Sequence, residues 1–162
     1  MPEVVCDTSP LQYLHQLGLL DLLPALVGRV IIPPAVLREM EQVKAAGIDL
    51  PDMRSLEWLT IRSPARISTM SFEHDLGSGE TEVLTLAGEM DEVVVVLDDG
   101  LARKVAEQRR IAVIGTLGVL LNAKRAGLVS NMKELLDRLQ AKRFRLSPVT
   151  RIAVLKLAGE EE

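Results

Sequence analysis

The sequence predicts one α/β domain with a three-layer α/β/α architecture: helices on both sides of a central parallel sheet. Three observations lead there. Short apolar runs alternate with amphipathic stretches of helical length, and the connections are short, the pattern of parallel strands joined by helices. The run Val93-Val94-Val95-Val96-Leu97 is unbroken, as suits a parallel strand covered on both faces. The chain has 162 residues and is 48% hydrophobic, enough for a substantial single core, with no linker, repeat or low-complexity segment to divide it. Aromatic residues make up only 2%, so that core must be built from Leu, Val, Ile and Ala.

The elements follow in order. Residues 3–6 form a short apolar strand. Asp7-Thr8-Ser9-Pro10 reads as a helix start, with a capping hydroxyl before a proline at the first helical position, and the helix ends near Gly18. A short helix is expected at 19–27 and a β-branched strand at 29–32. Pro33-Pro34 opens the next helix, whose stripe is Val36, Met40 and Val43 and which Gly47 ends. Residues 48–57 read as loop, 57–62 as a strand carrying Trp58, and 63–78 as loop. A helix at 79–90 shows Val83, Leu86, Ala87 and Met90 on one face, followed by the strand at 93–97. A helix at 100–110, a strand at 111–114 and a helix at 116–126 come next. Helices at about 130–142 and 147–158 complete the domain, with 158–162 a frayed tail.

The net charge of −4 conceals an asymmetry. Residues 1–102 carry 6 Lys/Arg against 17 Asp/Glu, whereas residues 103–162 carry 13 against 6. An acidic metal site beside a basic surface for phosphates fits this division, as do solvated helix faces. The single Cys6 excludes an internal disulfide, and no Cys/His set suits zinc. The opening Met1-Pro2-Glu3 lacks the basic and apolar regions of a signal peptide, and no apolar run reaches membrane-spanning length. A cytoplasmic setting is the expectation.

Four acids stand where such a fold gathers ligands, outside the carboxyl ends of the strands. Asp7 follows the first strand; its alternative is to cap the next helix, a task Thr8 and Ser9 can take instead. Asp98 is the first polar side chain after the fourth strand. With Asp98-Asp99 in tandem, one can cap the following helix while the other ligates, and Asp99 is a candidate second ligand. Glu80 precedes Val83, Leu84 and Ala87 by three, four and seven residues, so it lies on the sheet-facing side of its helix near the N-terminus. Glu82 runs with Thr85 and Glu89 and reads as solvated surface. Glu39 lies three after Val36 and four before Val43, beside the apolar stripe, where a flanking surface residue is the alternative.

Converging carboxylates repel by about 4 kcal/mol for a close pair at an effective dielectric near 20. A divalent cation resolves that conflict. Oxygen-only ligands suit Mg²⁺ or Mn²⁺, which activate water and stabilise displacement at phosphorus. The expected activity is therefore metal-dependent phosphodiester cleavage. His15 and His74 have no nucleophile partner in a recognisable motif, and Gly77-Ser78-Gly79 lacks the Gly-Lys-Ser/Thr of a phosphate loop. Arg103, Lys104, Lys124 and Arg125 are candidates for phosphate contacts or for helix surface. A receiver-like phosphorylation domain also clusters acids, but there the pair follows the first strand and a lysine the last. Here the pair follows the fourth, and Thr116 stands after the last.

Val5-Cys6-Asp7-Thr8-Ser9-Pro10-Leu11 resembles the opening of PIN-domain proteins. The segments 29–36, 79–82, 97–103 and 114–120 are similar to the DUF3368 branch of that superfamily, itself similar to VapC-type toxins of toxin–antitoxin modules. The resemblance covers nearly the whole chain. It implies a sheet of order 3-2-1-4-5 and a Mg²⁺- or Mn²⁺-dependent endoribonuclease acting on RNA. The family's acids fall on Asp7, Glu39, Glu80 and Asp98, and the additional Asp99 is usual for the branch. Asp7, Glu80, Asp98 and Asp99 are thus the expected metal ligands, and Glu39 completes the site. Thr8 and Thr116 are candidate hydroxyls just outside the ion's own ligands. The resemblance further implies a homodimer and an antitoxin partner. The alternative reading is a non-catalytic PIN scaffold that binds RNA or a protein partner.

Overall fold

The computed structural model describes residues 2–66 and 75–161. Five parallel strands form one sheet: β1 (Glu3–Cys6), β2 (Val30–Ile32), β3 (Leu59–Ile61), β4 (Val93–Val96) and β5 (Ala112–Ile114), in the order β3-β2-β1-β4-β5. This is the predicted α/β architecture with the predicted strand order. β1 lies at the centre, pairing Val5 with Ile31 on one side and Glu3–Cys6 with Val93–Val96 on the other. Parallel strands need crossover connections, and each here contains helix. The helices are α1 (Thr8–Gln16), α2 (Leu22–Val27), α3 (Pro34–Ala45), α4 (Ser78–Gly88), α5 (Gly100–Gln108), α6 (Thr116–Arg125), α7 (Met132–Ala141) and α8 (Pro148–Leu157). α3 packs on α4, while α6 contacts α1, α2, α7 and α8.

The core is aliphatic, as the composition requires. Leu11, Leu14, Leu23, Ile32, Met40, Leu84, Leu97, Leu120 and Leu136 are almost wholly removed from water. Tyr13, Trp58 and Phe144 only flank it. β4 is less enclosed than its unbroken apolar run predicts. Val95 and Val96 are buried, but Val93 and Val94 are half-buried, and Val94 lines an apolar recess with Val4 and Ile114.

Several boundaries differ from the sequence reading. α1 starts at Thr8, not at Pro10, because a proline is tolerated anywhere in a helix's first turn, where the N–H has no intrahelical partner. The loop after α3 contains a 3₁₀ turn, Met53–Ser55, nucleated by Asp52, whose side chain accepts from the Arg54 N–H at 3.0 Å. The expected loop at 63–78 falls partly outside the described residues, as does His74.

Glu160, expected in the frayed tail, is anchored. Glu160 Oε2 accepts from the Met132 N–H at 2.7 Å and from Lys124 Nζ at 3.0 Å, and its Oε1 accepts from the Lys133 N–H at 3.1 Å. A carboxylate thereby satisfies the free N–H groups at the start of α7, where the helix dipole favours it. Glu160→Gln is expected to lower unfolding stability by about 1 kcal/mol, measured by urea titration. An unchanged midpoint would mean the cap is redundant with Asn131, which accepts from the Glu134 N–H at 3.0 Å.

Candidate active site

The parallel register brings two acids out side by side. The Asp7 N–H donates to the Val96 carbonyl at 3.0 Å and the Leu97 N–H to the Ile114 carbonyl at 2.9 Å, so the ladder continues one residue past the strand ends. Cys6 lies opposite Val96. Asp7 and Asp98 therefore leave neighbouring strands at the same carboxyl edge of the sheet. Glu39 reaches this edge from α3 and Glu80 from the first turn of α4.

Each acid is held differently. Asp7 is buried, 4% exposed, and although it occupies the N-cap position of α1 its side chain makes no cap hydrogen bond. Its Oδ1 is buried with no hydrogen-bond partner among the described residues. Glu39 Oε1 accepts from Thr8 Oγ1 at 2.5 Å, and its Oε2 from the Gly79 N–H at 2.9 Å. Glu80 Oε2 accepts from the Gly77 N–H at 3.2 Å, the return arm of a capping box. Asp98 accepts twice from one residue: Oδ1 from the Thr116 N–H at 2.8 Å and Oδ2 from Thr116 Oγ1 at 2.7 Å. A carboxylate oxygen has more than one lone pair, so these bonds orient the acids without exhausting them.

The electrostatics record the crowding. Burial pushes the Asp7 carboxyl up to about 7; the nearby Thr8 N–H offsets part of the rise, and the charges of Glu80, Glu39 and Asp98 add to it. Burial also raises Glu80, with Asp99 and Glu39 contributing. Asp98 is raised by burial against the lowering effect of Thr116 and of the Arg103 guanidinium. Asp7 thus feels all three of the other acids.

The acids converge without closing into a cage: among the described residues, no group of three His, Cys, Asp or Glu side chains is gathered ready to hold a metal ion. Mg²⁺ does not require one, since it keeps several waters and takes one or two carboxylates. The unpartnered Oδ1 of Asp7, buried and surrounded by like charge, is the feature that a divalent cation would satisfy. The oxygen-only donor set fits Mg²⁺ or Mn²⁺.

Other expected residues resolve individually. Asp99 is the helix cap of the tandem pair: its Oδ2 accepts from the Ala102 N–H at 3.0 Å at the start of α5. Thr8 and Thr116 both hydrogen-bond site acids rather than cap helices with their side chains. Glu82 is not solvated surface. It is half-buried, accepts from the Ala35 N–H at 3.0 Å and lies 3.6 Å from Arg38, so it covers the start of α3. Lys124 is committed to Glu160 and the Ser130 carbonyl, which removes it from the phosphate candidates. Arg103 donates to the Leu97 carbonyl at 3.1 Å, beside Asp98, while Lys104 and Arg125 are exposed. His15 is half-buried, 3.9 Å from Asp49.

Gly79 and Gly115 belong to the site and were missed. A Cβ on Gly79 would stand 2.4 Å from Glu39 Oε1, and one on Gly115 would stand 2.6 Å from Arg103 Nη1 and 3.0 Å from Asp98 Oδ1. The available signal was Gly79 directly preceding Glu80 at a helix start, which marks close backbone approach as readily as a lead into the helix.

Residues 3–160 match the family DUF3368, described as a PIN domain. No curated protein matches the chain. Among the described residues, no helix is long and apolar enough to cross a membrane.

Proposed function

The chain belongs to the DUF3368 family of PIN domains, a nuclease-type fold, and from that premise we propose that it is a Mg²⁺- or Mn²⁺-dependent endoribonuclease. The observation that supports this most is Asp7, whose buried and unpartnered oxygen lies within the fields of three further acids. Asp7, Glu80 and Asp98 would hold the ion, and Asp99, with one oxygen spent on its helix, would have the other left for it. When bound, such an ion supplies a nucleophile at neutral pH and neutralises charge at the scissile phosphate. Glu39 orients the attacking water, and its own geometry is set by Thr8 and Gly79. Thr116 fixes the Asp98 carboxylate plane from two sides. The test is cleavage of end-labelled single-stranded RNA with Mn²⁺ and with EDTA. Equal cleavage in both, or none in either, contradicts the proposal.

Thr116 yields a sharper expectation. Thr116→Val keeps the shape of a fully buried side chain and the Asp98–N–H bond but deletes the hydroxyl donor. Groups that orient ligands in this way change metal affinity by roughly 10–100-fold when removed. The Mn²⁺ concentration for half-maximal cleavage is expected to rise about tenfold, with activity regained at saturating metal. A loss that saturating Mn²⁺ leaves untouched would assign Thr116 to the fold alone.

The biological role proposed is the toxin-like component of a toxin–antitoxin module, cytoplasmic and homodimeric, with a small antitoxin as inhibitor. Induced expression is expected to arrest growth, and co-expression of the product of an adjacent small reading frame to restore it. The second reading is a non-catalytic scaffold that binds RNA or a protein. Calorimetry with Mn²⁺ separates the two: RNA binding without any Mn²⁺ binding selects the scaffold.

A further inference from the structure

Two of the chain's four aromatic residues, Tyr13 and Phe144, meet edge to face, with ring centroids 5.0 Å apart and planes at 85°. Both are half-buried, outside an otherwise aliphatic core. Tyr13 is on α1, the helix that begins with Thr8 at the carboxylate site. Its phenol is raised by burial and by the charge of Asp98, which places the ring within the field of the site. Phe144 belongs to the run Lys142-Arg143-Phe144-Arg145 between α7 and α8.

That run is held in place. The Phe144 N–H donates to the Leu139 carbonyl at 3.1 Å, and Arg143 takes the left-handed backbone, φ 69°, that closes the end of α7, where glycine is usual. Arg138 of α7 donates to the Leu17 carbonyl at 2.8 Å just past α1. Lys142, Arg143 and Arg145 are exposed, and among the described residues their side chains have no hydrogen bond or ion pair. Three uncommitted cations therefore flank in sequence an aromatic ring that packs on α1, the helix that starts at an acidic site which would otherwise repel a polyanion.

We propose that Lys142, Arg143 and Arg145, with the Tyr13–Phe144 pair, form the seat for a single-stranded RNA entering the carboxylate site, the cations on its phosphates and an unpaired base stacked at Phe144. A positive surface joined to an aromatic platform is the physical arrangement that holds single strands, and only an unpaired base offers its face to such a ring. The seat rests on the nuclease reading and names the residues of this chain that would guide RNA to the carboxylates.

The test measures fluorescence anisotropy in the Asp7→Asn background, so that binding is read without turnover. The probes are a fluorescein-labelled oligoadenylate of about twelve nucleotides, an abasic oligomer of the same length and a duplex. The variant Lys142→Gln/Arg143→Gln/Arg145→Gln is expected to bind the oligoadenylate about tenfold or more weakly. Its slope of log affinity against log salt should fall by about 2, near 0.7 per phosphate contact. Phe144→Leu, which keeps an apolar side chain, is expected to weaken oligoadenylate binding about fivefold or more and to leave abasic binding unchanged. Equal losses on both oligomers in Phe144→Leu, a preference for the duplex, or variants that bind with the parent's affinity and salt slope overturn the seat. If the protein carrying Asp7 cleaves RNA with Mn²⁺ while these variants behave as the parent, only the seat is wrong. If it neither binds nor cleaves RNA, the nuclease reading falls and the seat with it.

Discussion

Asp7→Asn is expected to abolish Mn²⁺-dependent RNA cleavage while raising the melting temperature of the metal-free protein at pH 8. The two effects have one cause. Folding buries this carboxyl among three like charges and lifts it from 3.8 to about 7. Between those values the unfolded chain releases a proton that the folded chain keeps, so stability falls as pH rises. The contribution is fully present below about pH 4 and is lost once pH exceeds about 7. That rise corresponds to roughly 4 kcal/mol. Asparagine cannot ionise, so the variant escapes that penalty. The expected gain is on the order of 10 °C at pH 8, shrinking to nothing near pH 4. A divalent cation that relieves the same charge should stabilise the parent and not the variant. Cleavage is expected to fall by on the order of 10³ or more, the scale of several kcal/mol that an ion supplies at phosphorus. Scanning calorimetry at pH 4 and pH 8, with and without Mg²⁺, checks the stability half. A gain equal at both pH values would place its origin outside the ionisation of Asp7, and retained cleavage would remove Asp7 from the chemistry.

This opposition between stability and function explains how far the site was legible in the sequence. Acids that follow a strand are visible as such: Asp7 ends the run Val4-Val5-Cys6, and Asp98 ends Val93–Leu97. Parallel pairing of β1 with β4 then brings their ends together. Local spacing sets Glu80 apart from Glu82 but does not give Glu82 its role. Glu82 covers the first turn of α3, where it accepts from Ala35, a partner 47 positions away in sequence. No periodicity within α4 reports a contact with another helix.

The tandem Asp98-Asp99 was ambiguous for the same reason. Either residue can cap α5 on sequence grounds. The choice is made by Thr116, whose N–H and hydroxyl both engage Asp98 from the start of α6 and leave Asp99 exposed at the helix end. The tail shows the reverse. Its place in the sequence predicts that Glu160 frays, whereas the free N–H groups of α7 hold it. In each case the strand and helix pattern was readable, and what was not readable was which helix N-terminus a given carboxylate would find. β4 adds a quantitative limit: four valines look fully buried, but burial depends on which helices cover each end of the strand, and the covering of Val93 and Val94 is incomplete.

Gly79→Ala offers the second large effect, because two physical arguments about it point in opposite directions. Considered within α4 alone, alanine is the better helix former, by up to about 1 kcal/mol, and the variant should be more stable. Considered across the fold, the new methyl would stand 2.4 Å from Glu39 Oε1 and 2.9 Å from its Cδ. Glu39 must then leave both partners, the Gly79 N–H and the Thr8 hydroxyl. Each is a hydrogen bond to a charged group, worth about 1.5–3 kcal/mol. The glutamate is a flexible side chain and can swing outward, so the fold should survive while the geometry of the site does not. The expected result is a kcat lowered by about 10²-fold with KM for RNA little changed, and a melting temperature lowered by roughly 5–15 °C, because the two lost bonds outweigh the gain in helix propensity. Shortening the acid should partly restore room, so Gly79→Ala/Glu39→Asp is expected to lose less than the product of the single losses, the signature of coupled neighbours. Strict additivity would show that Gly79 acts on something other than Glu39. An unchanged kcat in Gly79→Ala would show that the orientation of Glu39 by α4 is irrelevant to the reaction, and its place beside the other acids would then need another account.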